Sequence, residues 1–121
     1  MFKWTDGRVY DGQFVNNNLE GYGTLTYLDG KQYAGDWVRN KMHGKGVFTW
    51  LDGKRYEGEY LNDKKHGQGK FTYPNGKMYD GSWVDGKQHG TANFRANENK
   101  EIRKGLWENG IRLKWLETED N

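Results

Sequence analysis

Tyr56-Glu57-Gly58-Glu59-Tyr60-Leu61 opens a 23-residue stretch that runs through Asn62-Asp63-Lys64-Lys65-His66 to Gly67-Gln68-Gly69-Lys70-Phe71-Thr72-Tyr73-Pro74-Asn75-Gly76-Lys77-Met78. Tyr56, Gly58 and Tyr60 alternate with Glu57, Glu59 and Leu61, the two-residue period of a strand with unlike faces. Phe71 and Tyr73 flank Thr72 in the same manner. The stretch therefore reads as two short strands with two different connections. One closes at Pro74-Asn75-Gly76, where Pro suits the second position of a type I turn and the following Gly completes a G1 bulge in left-handed backbone. The other runs from Asn62 to His66 and is polar enough for an exposed loop.

The same pattern recurs at a step of 23 residues. Tyr10, Tyr33, Tyr56 and Tyr79 keep it, as do Gly12, Gly35, Gly58 and Gly81. Phe14, Trp37, Tyr60 and Trp83 follow, and so do Gly21, Gly44, Gly67 and Gly90. The turn returns as Leu28-Asp29-Gly30 and Leu51-Asp52-Gly53, with Asn99 in place of Gly in the fourth unit. Asn is the next most tolerant residue of a left-handed conformation. A fixed period of roughly 20–50 residues marks a repeat architecture whose single units cannot bury their apolar surface alone. Glycine within a strand normally weakens it. Gly58 shares a face with Tyr56 and Tyr60, so its missing side chain leaves room for rings, and Gly67 and Gly69 are expected to do the same on the returning strand. Ring-on-backbone packing then replaces an aliphatic core.

Composition agrees with that design. Only 33% of the 121 residues are hydrophobic and about half of that share is aromatic, too little aliphatic material for a two-layer globule. Six Trp, eight Tyr and five Phe argue for order despite a charged fraction of 30%. The chain has no cysteine, which removes disulfides and thiolate metal sites and agrees with a reducing compartment. No apolar run approaches the roughly 18 residues of a membrane span. Met1-Phe2-Lys3-Trp4-Thr5-Asp6-Gly7 lacks the basic-then-apolar layout of a signal peptide. A net charge of +2 does not point to nucleic acid.

Tyr33-Ala34-Gly35-Asp36-Trp37, His43-Gly44-Lys45-Gly46 and Asp52-Gly53 together closely resemble the MORN repeat. The resemblance covers full units at 10–32, 33–55, 56–78 and 79–101, preceded by a half unit at 1–9. Departures cluster at the ends. Glu20 replaces the histidine in the first unit, and Ala92 replaces the second glycine in the fourth. Gly105 and Trp107 lie 24 residues after Gly81 and Trp83, so the phase slips by one. A capping hairpin at 102–116, with Ile111, Leu113 and Trp115 on alternating positions, is expected to cover the last strand. A helix over 111–118 is the alternative there. Residues 117–121 read as a frayed acidic tail. The resemblance implies an all-β fold: an elongated, solenoid-like, single-layer twisted antiparallel sheet of successive hairpins. At roughly 4.8 Å per strand, about five units give a rod of about 45–50 Å. Bacterial choline-binding repeats also build hairpins from Gly, Trp and Tyr, but the His-Gly-x-Gly and Asp-Gly pairs match them poorly.

Catalysis finds little to build on. Repeat geometry holds His43, His66 and His89 roughly 9–10 Å apart, whereas one metal needs all its nitrogens within about 2 Å. A packing role in the loops is the better reading, and no metal or other cofactor is expected. Glu57 and Glu59 share a side but nothing shields them, and Asp11, Asp36, Asp80 and Ser82 at related positions mark a solvated face. Ser82 is the only serine, and no Gly-Lys-Ser/Thr follows the glycine pairs. The chain is read as a non-enzyme.

Function then lies in surfaces. The resemblance implies a scaffold module of a ciliary or other cytoskeletal assembly, intracellular, with other proteins as partners and a homodimer as one arrangement. The aromatic face is expected to receive an extended or helical segment on Tyr33, Trp37, Trp50, Tyr56, Tyr60, Tyr73, Tyr79 and Trp83. Units two and three together carry a surplus of four positive charges, while the first unit is at −2. A basic patch of Arg39, Lys41, Lys45, Lys64 and Lys65 is accordingly expected to suit acidic phospholipid or an acidic protein segment. Single-stranded nucleic acid is the weaker use of these aromatics, which sit where the glycine gaps require them. A regulatory segment of a larger lipid kinase or methyltransferase is a further reading.

Overall fold

The computed structural model describes residues 1–116, so the acidic segment 117–121 lies outside the described residues. Eleven strands follow one another: β1 (Phe2–Lys3), β2 (Val9–Val15), β3 (Asn18–Thr26), β4 (Gln32–Val38), β5 (Lys41–Thr49), β6 (Arg55–Leu61), β7 (Lys64–Thr72), β8 (Met78–Val84), β9 (Lys87–Arg95), β10 (Arg103–Glu108) and β11 (Ile111–Trp115). They form one open sheet in chain order, every neighbour antiparallel. The fold is all-β, a single layer of hairpins stepping at the 23-residue period. Ten inter-strand steps make a sheet about 48 Å long.

Two connections alternate. On one edge the turn expected from Asp-Gly is present. The Gly30 amide donates to the Tyr27 carbonyl at 2.9 Å, the Tyr27 amide donates to the Lys31 carbonyl at 2.9 Å, and Gly30 sits at φ 93°. Gly7, Gly53 and Gly76 repeat it at φ 97°, 100° and 90°. Asn99 does not: it is outside the left-handed region, and the Lys100 amide instead donates to the Asn97 carbonyl at 3.1 Å. The longer connection after β9 absorbs the one-residue slip there, so no bulge glycine is needed.

The other edge differs from the expected five-residue loop. The connection is only Asn62-Asp63, both residues at positive φ (49° and 71°), and Lys64, Lys65 and His66 already belong to β7. Positive φ at both central positions is the signature of a type I′ hairpin turn, whose twist matches that of the flanking strands. Asn16-Asn17, Arg39-Asn40, Asp85-Gly86 and Asn109-Gly110 repeat it. Hairpin after hairpin, the second turn residue bonds back to the preceding returning strand: the Asn40 amide donates to the Leu19 carbonyl at 3.1 Å, Asp63 to Met42 at 3.0 Å, Gly86 to Lys65 at 2.8 Å and Gly110 to Gln88 at 2.8 Å.

The tyrosine step builds the core. Tyr10, Tyr33, Tyr56 and Tyr79 are fully buried, each lying across a pair of small residues on adjacent strands: Gly12/Gly23, Gly35/Gly46, Gly58/Gly69 and Gly81/Ala92. Each phenol donates to a backbone carbonyl three residues on, at Gln13 (3.0 Å), Asp36 (2.9 Å), Glu59 (2.9 Å) and Ser82 (2.6 Å). Rings from the same strand and from the strand two places on close edge-on over the tyrosines. Trp37 stands 5.1 Å from Tyr33, and Trp83 stands 5.5 Å from Tyr56. The Trp37 and Trp83 indoles donate to the Gly23 and Gly69 carbonyls, each at 3.0 Å. Gly67 has a different task from Gly69. It lies at φ 91° in a bulge, and a side chain there would meet Glu59 rather than a ring.

The last hairpin is a strand, not a helix, through Trp115. It also departs from the expected alternation. A bulge falls at Leu113, so Arg112 rather than Leu113 pairs across from Trp107. Trp115 packs against Phe94 and Trp107 at 6.0 and 6.2 Å, while Ile111 and Leu113 remain 66% and 53% exposed.

Candidate interaction surface

Alternation gives the sheet two unlike faces. One carries the buried rings; the other carries Asp36, Lys45, Glu57, Glu59, Lys70 and Asp80. Of the eight aromatics expected to form a docking face, Tyr33, Trp37, Tyr56, Tyr60, Tyr79 and Trp83 are buried among one another. Trp50 and Tyr73 are half-buried at the rim. Desolvation raises the phenol pKa of Tyr10, Tyr27, Tyr33, Tyr56 and Tyr60, and pushes that of Tyr79 up to about 12.

Over the first two units the ring face is open. A cavity of about 900 Å³ lies between Phe2, Trp4, Phe14, Leu25, Tyr27 and Met42, with Trp37 and Leu19 as floor and Arg8, Asn17, Asn40 and Asp63 around it. Phe2 and Phe14 are 46% and 43% exposed. It opens there because β1 is two residues long and leaves the outer half of β2 without the strand that covers the equivalent half of β4. Rings continue from its wall along the sheet. Tyr27 stacks on Phe48 at 6.1 Å, Phe48 meets Trp50 at 4.5 Å, Trp50 meets Phe71 at 5.3 Å and Phe71 meets Tyr73 at 4.8 Å. Trp4, Tyr27, Trp50 and Tyr73 recur at the 23-residue step, so this row was open to discovery in the sequence.

A cation crowns each of those turn aromatics: Arg8 on Trp4 at 4.7 Å, Lys31 on Tyr27 at 5.0 Å, Lys54 on Trp50 at 5.7 Å and Lys77 on Tyr73 at 4.8 Å. Asp6, Asp29 and Asp52 hold the first three at 2.9, 3.3 and 3.5 Å. Hydrogen bonds from the Arg8 and Lys31 amides hold the Asp6 and Asp29 carboxyls below the usual range. Asn75 stands in the fourth aspartate's place.

The five basic residues expected to form one patch divide between positions. Lys41 pairs with Val38, Lys45 with Glu59 and Lys64 with Leu61, all on the face opposite the rings, and Arg39 occupies a type I′ turn. Lys65 lies on the ring face. Its ammonium stands 5.5, 5.7 and 5.6 Å from the centroids of Tyr56, Phe71 and Trp83, and burial lowers its pKa.

His43, His66 and His89 stand in β5, β7 and β9 rather than in loops. The Nδ1 atoms of His66 and His89 face the Asp85 and Asn109 amides of the next turn at 3.4 Å. Glu20, at the equivalent position of the first unit, accepts from the Arg39 amide at 2.9 Å. Glu20, His66 and His89, each standing before a Gly, are thus acceptors for the following turn. No group of three or more metal-ligating side chains forms among the described residues. A family profile described as the MORN repeat matches residues 10–32, 33–55, 56–78 and 79–94. No curated protein matches the chain.

Proposed function

The chain belongs to the MORN repeat family, a non-catalytic interaction fold, and on that premise we propose that it holds an extended or helical segment of a partner protein on its ring face. The open groove of the first two units carries this reading, since it exposes Phe2 and Phe14 beside Trp4 and Tyr27. Its volume of about 900 Å³ suits several side chains of a docked segment. The buried tyrosines below it supply a rigid floor. The setting in this proposal is intracellular, in a ciliary or other cytoskeletal assembly, and the family resemblance alone supports that part. Affinity capture from the native source tests the docking. Phe14→Asp should abolish capture of partners that the unaltered chain retains, while Lys45→Glu on the other face should leave capture intact. Loss with Lys45→Glu alone would sink the ring-face reading.

A second reading, anionic lipid, draws on Lys41, Lys64 and Lys87, the exposed first residues of β5, β7 and β9 on the polar face. Equivalent positions two strands apart fall about 9–10 Å from each other, a spacing suited to headgroups. It expects phosphatidylserine-vesicle binding that falls steeply with salt and disappears on charge reversal at these three lysines.

A further inference from the structure

Lys65 and Lys77 are set apart by two local departures within the third unit. The positions equivalent to Lys65 hold Leu19, Met42 and Gln88, so this is the one unit that places a charge there. The position of Asn75 holds Asp6, Asp29 and Asp52 in the preceding turns. Either change alone would alter the charge of the ring face; together they act in the same direction.

The outcome is a cationic end on an aromatic surface. Among the described residues the ion pairs involve Arg8, Lys31, Lys54, Arg55 and His66, and none involves Lys65 or Lys77. Glu98 lies against this turn, its amide donating to the Asn75 carbonyl at 3.1 Å and its Cβ beside Gly76, and its carboxylate forms no ion pair with either lysine. Lys65 rests on Phe71, Phe71 contacts Tyr73 at 4.8 Å, and Tyr73 carries Lys77. Both ammoniums therefore border one continuous ring surface. Three ring faces stabilise the Lys65 charge only in part, since burial still lowers its pKa. At the opposite end of the ring row Asp6 holds Arg8 in an ion pair, and the Asp63 carboxylate, a negative charge, accepts the Met42 amide at 2.8 Å.

We propose that the segment docked on the ring face is acidic, and that its carboxylates pair with Lys65 and Lys77 while its apolar side chains lie along the Tyr27–Phe48–Trp50–Phe71 row. This rests on the ring face being the docking surface and adds the chemistry of what docks. A carboxylate reaching Lys65 meets a cation that is partly desolvated and has no competing anion, the condition under which an interfacial ion pair adds affinity as well as register. An apolar or basic segment would leave both charges unmatched in the interface.

The test pans a random-peptide phage library against the full chain and its variants. Lys65→Met restores the residue of the preceding unit, and Asn75→Asp supplies the carboxylate that the other turns possess; both keep the local pattern of the fold. The unaltered chain should enrich peptides that combine Asp or Glu with apolar residues. Affinity of the leading peptide should drop about tenfold with Lys65→Met and several-fold with Asn75→Asp. Peptides that lose binding with Phe14→Asp but show no acidic bias would overturn the acidic-segment proposal and leave ring-face docking standing. Binding indifferent to Phe14→Asp and to both third-unit variants, or no enrichment at all, would remove the docking reading as well. Binding of phosphatidylserine vesicles that depends on Lys65 and Lys77, without peptide enrichment, would overturn the proposal in favour of lipid. Self-association abolished by the same two variants, without peptide enrichment, would overturn it in favour of a second copy.

Discussion

The unit of stability at the residue scale is a phenol laid over two glycines. A Cβ on Gly69 would collide with the Tyr56 ring and hydroxyl, and a Cβ on Gly58 would meet the Gly69 Cα and the same hydroxyl. Gly69→Ala is therefore expected to destabilise the chain by about 3 kcal/mol, the upper end of ordinary overpacking, read as a shift in the urea midpoint. The fourth unit already places Ala92 at this position with Tyr79 still buried, so Ala92→Gly should change the midpoint far less. Tyr56→Phe leaves the Glu59 carbonyl without its donor and should cost about 1–2 kcal/mol. The same burial makes an alkaline limit. Tyr79 is raised from 10.0 to about 12, and Tyr10, Tyr33 and Tyr56 move in the same direction. A raised folded pKa favours the neutral phenol, so stability from this source is intact below pH 10 and is lost as pH rises from 10 towards 12. Tyrosinate absorbance from these residues should appear together with unfolding. A clear separation of the two transitions would contradict the packing.

At the scale of elements, the two turn types differ in how much of them the sequence displays. Asp-Gly or Asn-Gly announces the G1-bulge turn, and Gly7, Gly30, Gly53 and Gly76 all take it, whereas Asn99 does not. The type I′ turns carry a plain signal only at Asp85-Gly86 and Asn109-Gly110. In Arg39-Asn40 and Asn62-Asp63 both residues have side chains yet occupy left-handed backbone, and the polar run Lys64-Lys65-His66 hides the start of β7. What compensates is contact between units, which no local pattern reveals. Asn40 Oδ1 accepts the Leu19 amide at 2.8 Å while its own amide donates to the Leu19 carbonyl, and Asp63 repeats this with Met42. Asn40→Ala loses the side-chain half of the clasp and strains the turn, and should cost about 2 kcal/mol. Asn40→Gly loses only the clasp and should cost about 1 kcal/mol. Equal losses from the two substitutions would mean that the φ of 68° is not strained. The docking aromatics divide for a related reason. Alternation identifies the ring face from the sequence, but whether a ring is floor or surface depends on the strand beside it. Trp37 is covered by its neighbours, whereas Phe14, its counterpart one unit earlier, lacks them and stays open.

Over the whole molecule, stability and recognition should separate because each hairpin contacts only its neighbours in the sheet. Such an array behaves as a sum of units and interfaces, so removal of one complete period keeps register while any other length does not. Deleting 33–55 brings β3 beside β6, with Gly23 opposite Gly58 just as Gly23 now pairs with Gly35. Deleting 56–78 brings β5 beside β8, with Gly46 opposite Gly81. Both shortened chains should fold, melt several degrees below the parent in circular dichroism, and lose about 9–10 Å of maximum dimension in solution scattering. Removing one residue fewer would turn every downstream side chain to the wrong face and should abolish cooperative melting. The two deletions are matched in length but not in chemistry. Only loss of 56–78 takes away Lys65, Asn75 and Lys77, and only that deletion should remove the preference for acidic peptides. If both shortened chains kept it, the preference would belong to the repeat in general, and the departures of the third unit would have no part in recognition.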